Sequence, residues 1–329
     1  LSFSKFIIIG IVAIFSLISI VSFLKKTKNK QEIIFDTKSN NVQEIVIEEK
    51  DEDMQLVQDE SKVIKEEETV ERNDENLPEA NIIDRLFATD SSRAPFVETV
   101  VYTSRVPWLK GRQAWIADYA SHYSTSRHFI ARSLNRKPDY FTQKISAGDR
   151  FNVFRNDKNI SFYLLIDLSR TKLWFYCLDL DTNERMLLKT YKVGLGRKDS
   201  KRPSGCLTPI GQYSLGNKVA IYKSNIMGYF QDKKIEMIKI FGTRWIPFEN
   251  EIKNCSEPSK GLGIHGAPWV IANGDLVEDR SKVGKYESDG CIRLFSEDIE
   301  EIFAIVISKP TTIELVKDFY DAKLPGSEK

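Results

Sequence analysis

The spacing of apolar residues changes several times along this chain, and each spacing predicts a different element. Residues 6–24 read FIIIGIVAIFSLISIVSFL, nineteen residues without a charge. At about 1.5 Å rise per residue, a helix of that length nearly spans the ~30 Å hydrocarbon layer, so a transmembrane anchor is expected. A cleaved signal peptide is the alternative; the length of the run and the lack of an Ala-x-Ala site after it argue against one. Beyond residue 30 the apolar positions thin out. From Glu48 to Glu75 there are 13 acids against four bases. A segment so charged cannot bury a core and is expected to stay extended as a tether.

Order is expected to resume near Pro95. In QAWIADYASHYSTSRHFIARSLN, Trp115, Ile116, Tyr119 and Tyr123 recur at helical spacing. Ser124, Thr125 and Ser126 form a capping cluster that splits the stretch into two helices, the second carrying Phe129, Ile130 and Leu134. Gly148-Asp149 then turns the chain into a short strand with Phe151 and Val153 on one face. From residue 160 strands dominate. ISFYLLIDLSRTKLWFYCLD reads as two strands around Leu168-Ser169-Arg170-Thr171, and further strands are expected at YKVG, after TPIGQY, at KGLGIHG and at TTIELV. One convincing helix interrupts them. Ser296 is its expected N-cap, Glu297 and Asp298 suit its first turn, and Pro310 stops the chain after about Ile307. The predicted organisation is a membrane anchor over 1–30, a charged linker over 31–97, a small strand–helix–helix–strand module over 98–156, and a mostly β catalytic domain over 157–329.

Charge sharpens this division. The chain has 48 Lys/Arg and 47 Asp/Glu. Residues 1–100 hold 12 and 20 of these, a net of −8, which leaves 36 and 27, a net of +9, for residues 101–329. A mildly basic folded part suits an anionic polymer and equally suits an ordinary solvated surface. Lys25, Lys26, Lys28 and Lys30 follow the apolar run, so the positive-inside rule alone would keep the folded part in the cytoplasm. The chemistry below belongs outside, in the periplasm, and is given precedence. The four cysteines, Cys177, Cys206, Cys255 and Cys291, form no Cys-x-x-Cys pair; a Cys206–Cys255 bridge is left open. There is no His-Glu-x-x-His spacing, P-loop or dinucleotide fingerprint, so no metal, cofactor or nucleic-acid partner is expected.

Two clusters carry chemistry. One is Gly263-Ile264-His265-Gly266; the other is Ser288-Asp289-Gly290-Cys291-Ile292-Arg293-Leu294. A thiol is a strong nucleophile as thiolate, which a neighbouring imidazole can secure at neutral pH. His265 is the sole histidine in its domain and sits at a strand end. Gly290 allows close backbone approach before Cys291, so the N–H groups of Gly290 and Cys291 are candidate oxyanion donors. No acid is evident to orient the imidazole, and a backbone carbonyl near Gly266 is the candidate. A lone Cys and a lone His on strands are more often core residues; the flanking sequence alters that balance.

That flanking sequence resembles the L,D-transpeptidase catalytic domain, or YkuD family: a strand ending His-Gly, a loop, then Ser-x-Gly-Cys, an aliphatic residue and Arg or Asn. IDLSRTKLWFY resembles its opening hairpin, KVGLGR its next strand, and TPIGQY, from Thr208 to Tyr213, its Thr-Pro-x-Gly element. The resemblance implies an L,D-transpeptidase-type β-sandwich with one helix. It implies that Cys291 attacks the carbonyl of the third residue of a peptidoglycan stem tetrapeptide, that D-alanine leaves with a proton from His265, and that an acceptor amine resolves the acyl-enzyme. Arg293, Ser288, Asp289 and Trp269 are the expected substrate-side residues. Two departures stand out. Asp289 occupies a position that is often His in the family, and 22 residues separate His265 from Ser288, a long interval that suggests a lid or acceptor site. An L,D-carboxypeptidase would use the same residues, and a non-catalytic wall-binding protein is the reading from a different class. Residues 98–156 resemble a LysM module, which implies glycan strands as a further partner.

Overall fold

The computed structural model describes residues 76–135 and 144–328. The anchor expected at residues 6–24 and residues 31–75 of the expected linker lie outside them; residues 76–97, also assigned to that linker, are built into the fold, with Ile83, Leu86, Phe87, Ala94 and Phe96 buried. Among the described residues no helix is long and apolar enough to cross a membrane.

Strand β1 (Val97–Val101) leads through a long loop to helices α1 (Ile116–His122) and α2 (Arg127–Asn135), then to β2 (Arg150–Phe154). β1 and β2 pair antiparallel, Val97 opposite Phe154 and Val101 opposite Arg150. The break between the helices falls at the predicted cluster. Ser124 adopts φ 44°, and Ser126 Oγ accepts the Phe129 N–H at 2.9 Å, which satisfies an orphan donor of the second helix. Tyr119, Ile130, Phe151 and Val153 close a small core between helices and ladder.

Then follow β3 (Ile160–Asp167), β4 (Lys172–Asp179), β5 (Glu184–Lys192), β6 (Leu195–Gly196), β7 (Gly211–Leu215) and β8 (Ala220–Ile221). A hairpin of β9 (Met227–Phe230) and β10 (Lys233–Glu236) precedes the one-turn helix α3 (Ile238–Phe241), β11 (Arg244–Lys253) and β12 (Gly263–Gly266). A second hairpin, β13 (Trp269–Ala272) and β14 (Asp275–Glu278), precedes β15 (Tyr286–Ser288), β16 (Ile292–Leu294), α4 (Ser296–Val306), β17 (Thr311–Val316) and β18 (Ser327–Glu328). Where a sandwich was expected, the described strands build one large sheet in the order β16-β12-β11-β7-β17-β3-β4-β5-β18, with β8 beside β11.

The near-continuous apolar runs of β3 and β4 explain this arrangement, because both of their faces are buried. Phe162, Leu164, Ile166, Leu173 and Phe175 face α4, which contributes Ile299, Ile302 and Phe303. Tyr163, Leu165, Trp174 and Tyr176 face the other way and are covered by Leu77, Ala80, Phe319 and Leu324. The Trp174 indole N–H donates to the Pro78 carbonyl at 2.8 Å, which fixes part of that cover. The small module is not separated from the sheet by a polar seam. Phe129 and Phe154 belong to the same apolar cluster as Phe162 and Phe303. Ser126 Oγ donates to the Ala304 carbonyl, and Glu301 of α4 accepts from Lys189 and Tyr191 of β5 at 2.7 and 2.8 Å.

α4 begins differently from expectation. Phe295, with φ −62° and ψ 152°, is the N-cap residue and Ser296 is already helical. The Ser296 N–H donates to Glu278 Oε1 at 2.6 Å, so an acid from β14 does the capping. Glu297 and Asp298 occupy the first turn, as their charge predicts. All four cysteines are free thiols, Cys206 and Cys255 included.

Candidate active site

His265 lies on β12 between β11 and β16. It is opposite Trp245 on the antiparallel side and opposite Arg293 on the parallel side. The glycines around it are required by that packing. A Cβ on Gly263 would come within 2.6 Å of the Ile246 carbonyl and 2.8 Å of the Trp245 ring. The imidazole is 3% exposed. Its Nδ1 is 2.7 Å from the Gly266 carbonyl, the backbone orienter expected from sequence. A carbonyl only accepts, so Nδ1 carries the proton and Nε2 presents a lone pair, the form a general base needs. Phe241 of α3 meets the ring edge-on at 5.3 Å and Trp245 lies 5.8 Å away. Burial in this aromatic pocket, helped by Arg293, lowers the His265 pKa to about 3, against the pull of hydrogen bonds to the Gly266 and Phe241 backbone.

Cys291 immediately precedes β16. Side chains alternate along a strand, so Cys291 and Arg293 share a face, and Arg293 is the residue paired with His265. The thiol lies 3.5 Å from the Gly261 carbonyl. Burial pushes its pKa up to about 12; the Gly263 N–H and Arg293 work against that rise and Asp289 adds to it. Thiol and imidazole are therefore both driven towards neutrality.

The turn carrying the thiol is tightly held. Gly290 adopts φ 123°, which a side chain would strain. Ser288 Oγ accepts the Gly290 N–H at 3.2 Å and donates to the Cys291 carbonyl at 2.6 Å. The Gly290 N–H is thus engaged within the turn, and the Cys291 N–H is the better oxyanion candidate of the two. Gly266 enters through its carbonyl. Asp289 points outward into an ion pair with Arg197 Nη1 at 2.6 Å, both side chains more than half exposed. The anion that would disfavour a thiolate thus has a cation beside it. Arg293 Nε is buried without a hydrogen-bond partner, a donor suited to a carboxylate.

Trp269 is not brought to the thiol by any contact. It heads β13, with its indole N–H buried and unpartnered. The long interval after His265 folds as the β13–β14 hairpin. Asn273 and Gly274 make its tight turn at φ 53° and 90°. Ile271 is 61% exposed and Val270 41%. Arg280 anchors the hairpin's base, pairing with Glu278 and Glu297 at 2.9 and 2.6 Å and lying 3.9 Å over the Phe295 ring. Arg197 contacts Asp289 and Phe241 contacts His265 without either having been singled out by sequence. Only Arg197 had a usable signal, its place at the end of the KVGLGR stretch. Among the described residues no group of His, Cys, Asp and Glu could hold a metal ion.

Residues 161–315 match the family model of the L,D-transpeptidase catalytic domain, YkuD. Over that stretch the chain is similar to the L,D-transpeptidase catalytic domain. Solved structures with partial likeness include the helical cell shape determining protein Pgp2 from Campylobacter jejuni, at 18% identity over 51% of each chain with a TM-score of 0.34. Bd1075 of Bdellovibrio bacteriovorus gives 14% identity over 48% of each chain and a TM-score of 0.32. L,D-transpeptidase 1 of Mycobacterium tuberculosis gives 17% identity over 51% of this chain and 70% of its own, with a TM-score of 0.22. The chain spans about half the length of the first two. No curated protein sequence matches it.

Proposed function

We propose that this protein is a peptidoglycan L,D-transpeptidase of the bacterial cell envelope. The observation that carries the reading is the His265 imidazole, oriented by the Gly266 carbonyl on the strand beside the one that Cys291 opens, within a segment that matches the family. Nε2 takes the thiol proton while sulfur adds to the carbonyl of the third residue of a donor stem tetrapeptide. The tetrahedral oxyanion collapses, the bond to D-alanine breaks, and the proton on Nε2 passes to the departing amine. An acceptor amine then adds to the thioester and yields a proton to Nε2. Sulfur leaves and recovers that proton as the new amide forms. Arg293 supplies a buried donor for a substrate carboxylate, and Ser288 holds the turn. The exposed apolar residues of β9–β10 and β13–β14 flank the site through α3, which carries Phe241 and packs against β10 and β13. The β1–α1–α2–β2 module supports a LysM-like, glycan-binding role. The run at residues 6–24 supports an anchor, and the wall-directed chemistry, against the flanking lysines, supports a catalytic part in the periplasm.

The test is incubation of the purified full chain with disaccharide-tetrapeptide, read by mass spectrometry beside Cys291→Ala. The expected products are D-alanine and a tetrapeptide–tripeptide dimer, both absent from the variant. Monomeric tripeptide alone would assign a carboxypeptidase, and untouched substrate with both proteins would sink the enzymatic reading.

A further inference from the structure

Thr208 has no part in the mechanism above, yet its side chain is completely buried behind the nucleophile. It sits in the loop between β6 and β7. Its hydroxyl makes two bonds at once: Oγ1 accepts the Gly196 N–H at 2.7 Å and donates to the Gly290 carbonyl at 2.9 Å. The surrounding backbone is laced in the same direction. The Leu207 N–H donates to the Arg197 carbonyl at 2.8 Å, and the Arg197 N–H donates to the Ser288 carbonyl at 2.9 Å. The fit leaves no slack. A Cβ on Gly196 would fall 2.5 Å from the Thr208 nitrogen, and one on Gly290 would fall 3.1 Å from the Leu207 carbonyl oxygen.

The consequence is geometric. A trans peptide is planar, and its C=O and N–H point to opposite sides. Thr208 holds the Gly290 carbonyl on one side of the Gly290–Cys291 peptide. Ser288 Oγ holds the Gly290 N–H before that plane and the Cys291 carbonyl after it. The plane cannot turn without breaking these bonds, so the Cys291 N–H is directed away from the Leu207–Thr208 backing. We propose that Thr208 is a positioning residue for acyl transfer: by fixing the Gly290 carbonyl it aims the Cys291 N–H at the oxyanion formed when sulfur adds to a carbonyl. The proposal rests on Cys291 being the nucleophile. It needs no particular peptide substrate.

Two reactions of the same thiol separate positioning of the donor from positioning of the sulfur. Alkylation by iodoacetamide displaces iodide and forms no oxyanion. Acylation by p-nitrophenyl acetate passes through an oxyanion before p-nitrophenolate leaves. Both are followed on the full chain, with Cys291→Ala subtracting the other three thiols. In Thr208→Val, acylation should fall by roughly 10²-fold while alkylation stays within about threefold, as expected for a lost oxyanion-directing contact. Thr208→Ser, which restores the hydroxyl, should recover most of the acylation rate. Thr208→Ala should show the same split if valine prevents folding. Equal loss of both reactions would show that Thr208 only supports the sulfur, and loss of neither would remove it from the reaction; either overturns the proposal. So would a wild-type thiol that alkylates but does not acylate. Because neither reagent is a wall fragment, failure on the tetrapeptide would be a separate result.

Discussion

The nucleophile turn and the β13–β14 hairpin are neighbours in sequence and are held in opposite ways. In the turn, Ser288 and Thr208 hydroxyls tie down three backbone polar groups, and glycines leave no room for other packing. The hairpin has one two-stranded ladder, a tight turn, and Val270, Ile271 and Val277 facing solvent. Its base is anchored through Glu278 and Arg280, and α3 packs against β13. The difference separates two tasks. Bond-making groups have to be arranged before the substrate arrives, because a misplaced donor loses most of its effect. A surface that receives a polymer can stay open, since apolar contacts tolerate small displacements. The β9–β10 hairpin, with Ile226, Met227 and Tyr229 exposed, belongs with the second kind.

The strongest way to break the comparison is acid. The rigid half holds a neutral imidazole whose pKa is lowered to about 3, mainly by burial. The unfolded chain binds a proton there near pH 6.5 and the folded chain does not. Stability from His265 is therefore present above about 6.5 and lost as pH falls towards 3, with a slope of up to ~1.4 kcal/mol per pH unit. His128, buried against Phe303 and likewise lowered to about 3, adds a second contribution of the same sign. Asp298 opposes both. Burial raises its carboxyl to about 6, so its contribution is full below about 3.8 and is lost as pH rises through 6. Urea midpoints of wild type and His265→Asn from pH 7 to 4.5 isolate the first group. The variant should lose less stability on acidification than wild type. Equal slopes would mean that the cleft floor admits water and is not the rigid half.

A smaller effect tests the joint between the halves. Glu278 leaves the hairpin and accepts the Ser296 N–H at the start of α4. Glu278→Ala removes that cap and the partner of Arg280, and should lower stability by about 1 kcal/mol, the usual effect of a lost helix cap. Proteolysis at Asn273–Gly274 should quicken as the hairpin base loosens. An unchanged melt would show that Arg280–Glu297 alone seats the hairpin.

That joint also marks where sequence reading stops. The strand around His265 and the strained turn before Cys291 were legible because each motif is local: a few adjacent residues dictate the backbone. β3 and β4 were legible because their apolar runs are long. The capping of α4 was misread, since Ser296 satisfies the local rule while the acid that wins comes from another strand. The environment of the Cys291 thiol was not legible for a similar reason. It depends on packing against Phe241 and Trp245 and on the Asp289–Arg197 pair, all brought close by the fold. The module boundary near residue 156 was drawn from texture, which cannot reveal that Phe154 and Phe162 share one core.

The smallest effect is the most direct test of the open half. Ile271 is exposed on β13 opposite Leu276, and nothing in the fold requires its bulk. Ile271→Ser removes apolar surface that is already in water, so the change in stability should stay within ~0.5 kcal/mol. Its loss should be felt only when something covers the hairpin. With the tetrapeptide as donor, KM should rise by a few fold at unchanged kcat, the signature of contact made equally in the ground and transition states. A drop in kcat at constant KM would move the hairpin into the preorganised half. A loss of stability would show that Ile271 is packed in solution. An unchanged KM would take β13 off the substrate's path and leave recognition to β9–β10, where Tyr229→Ser repeats the test on the other hairpin.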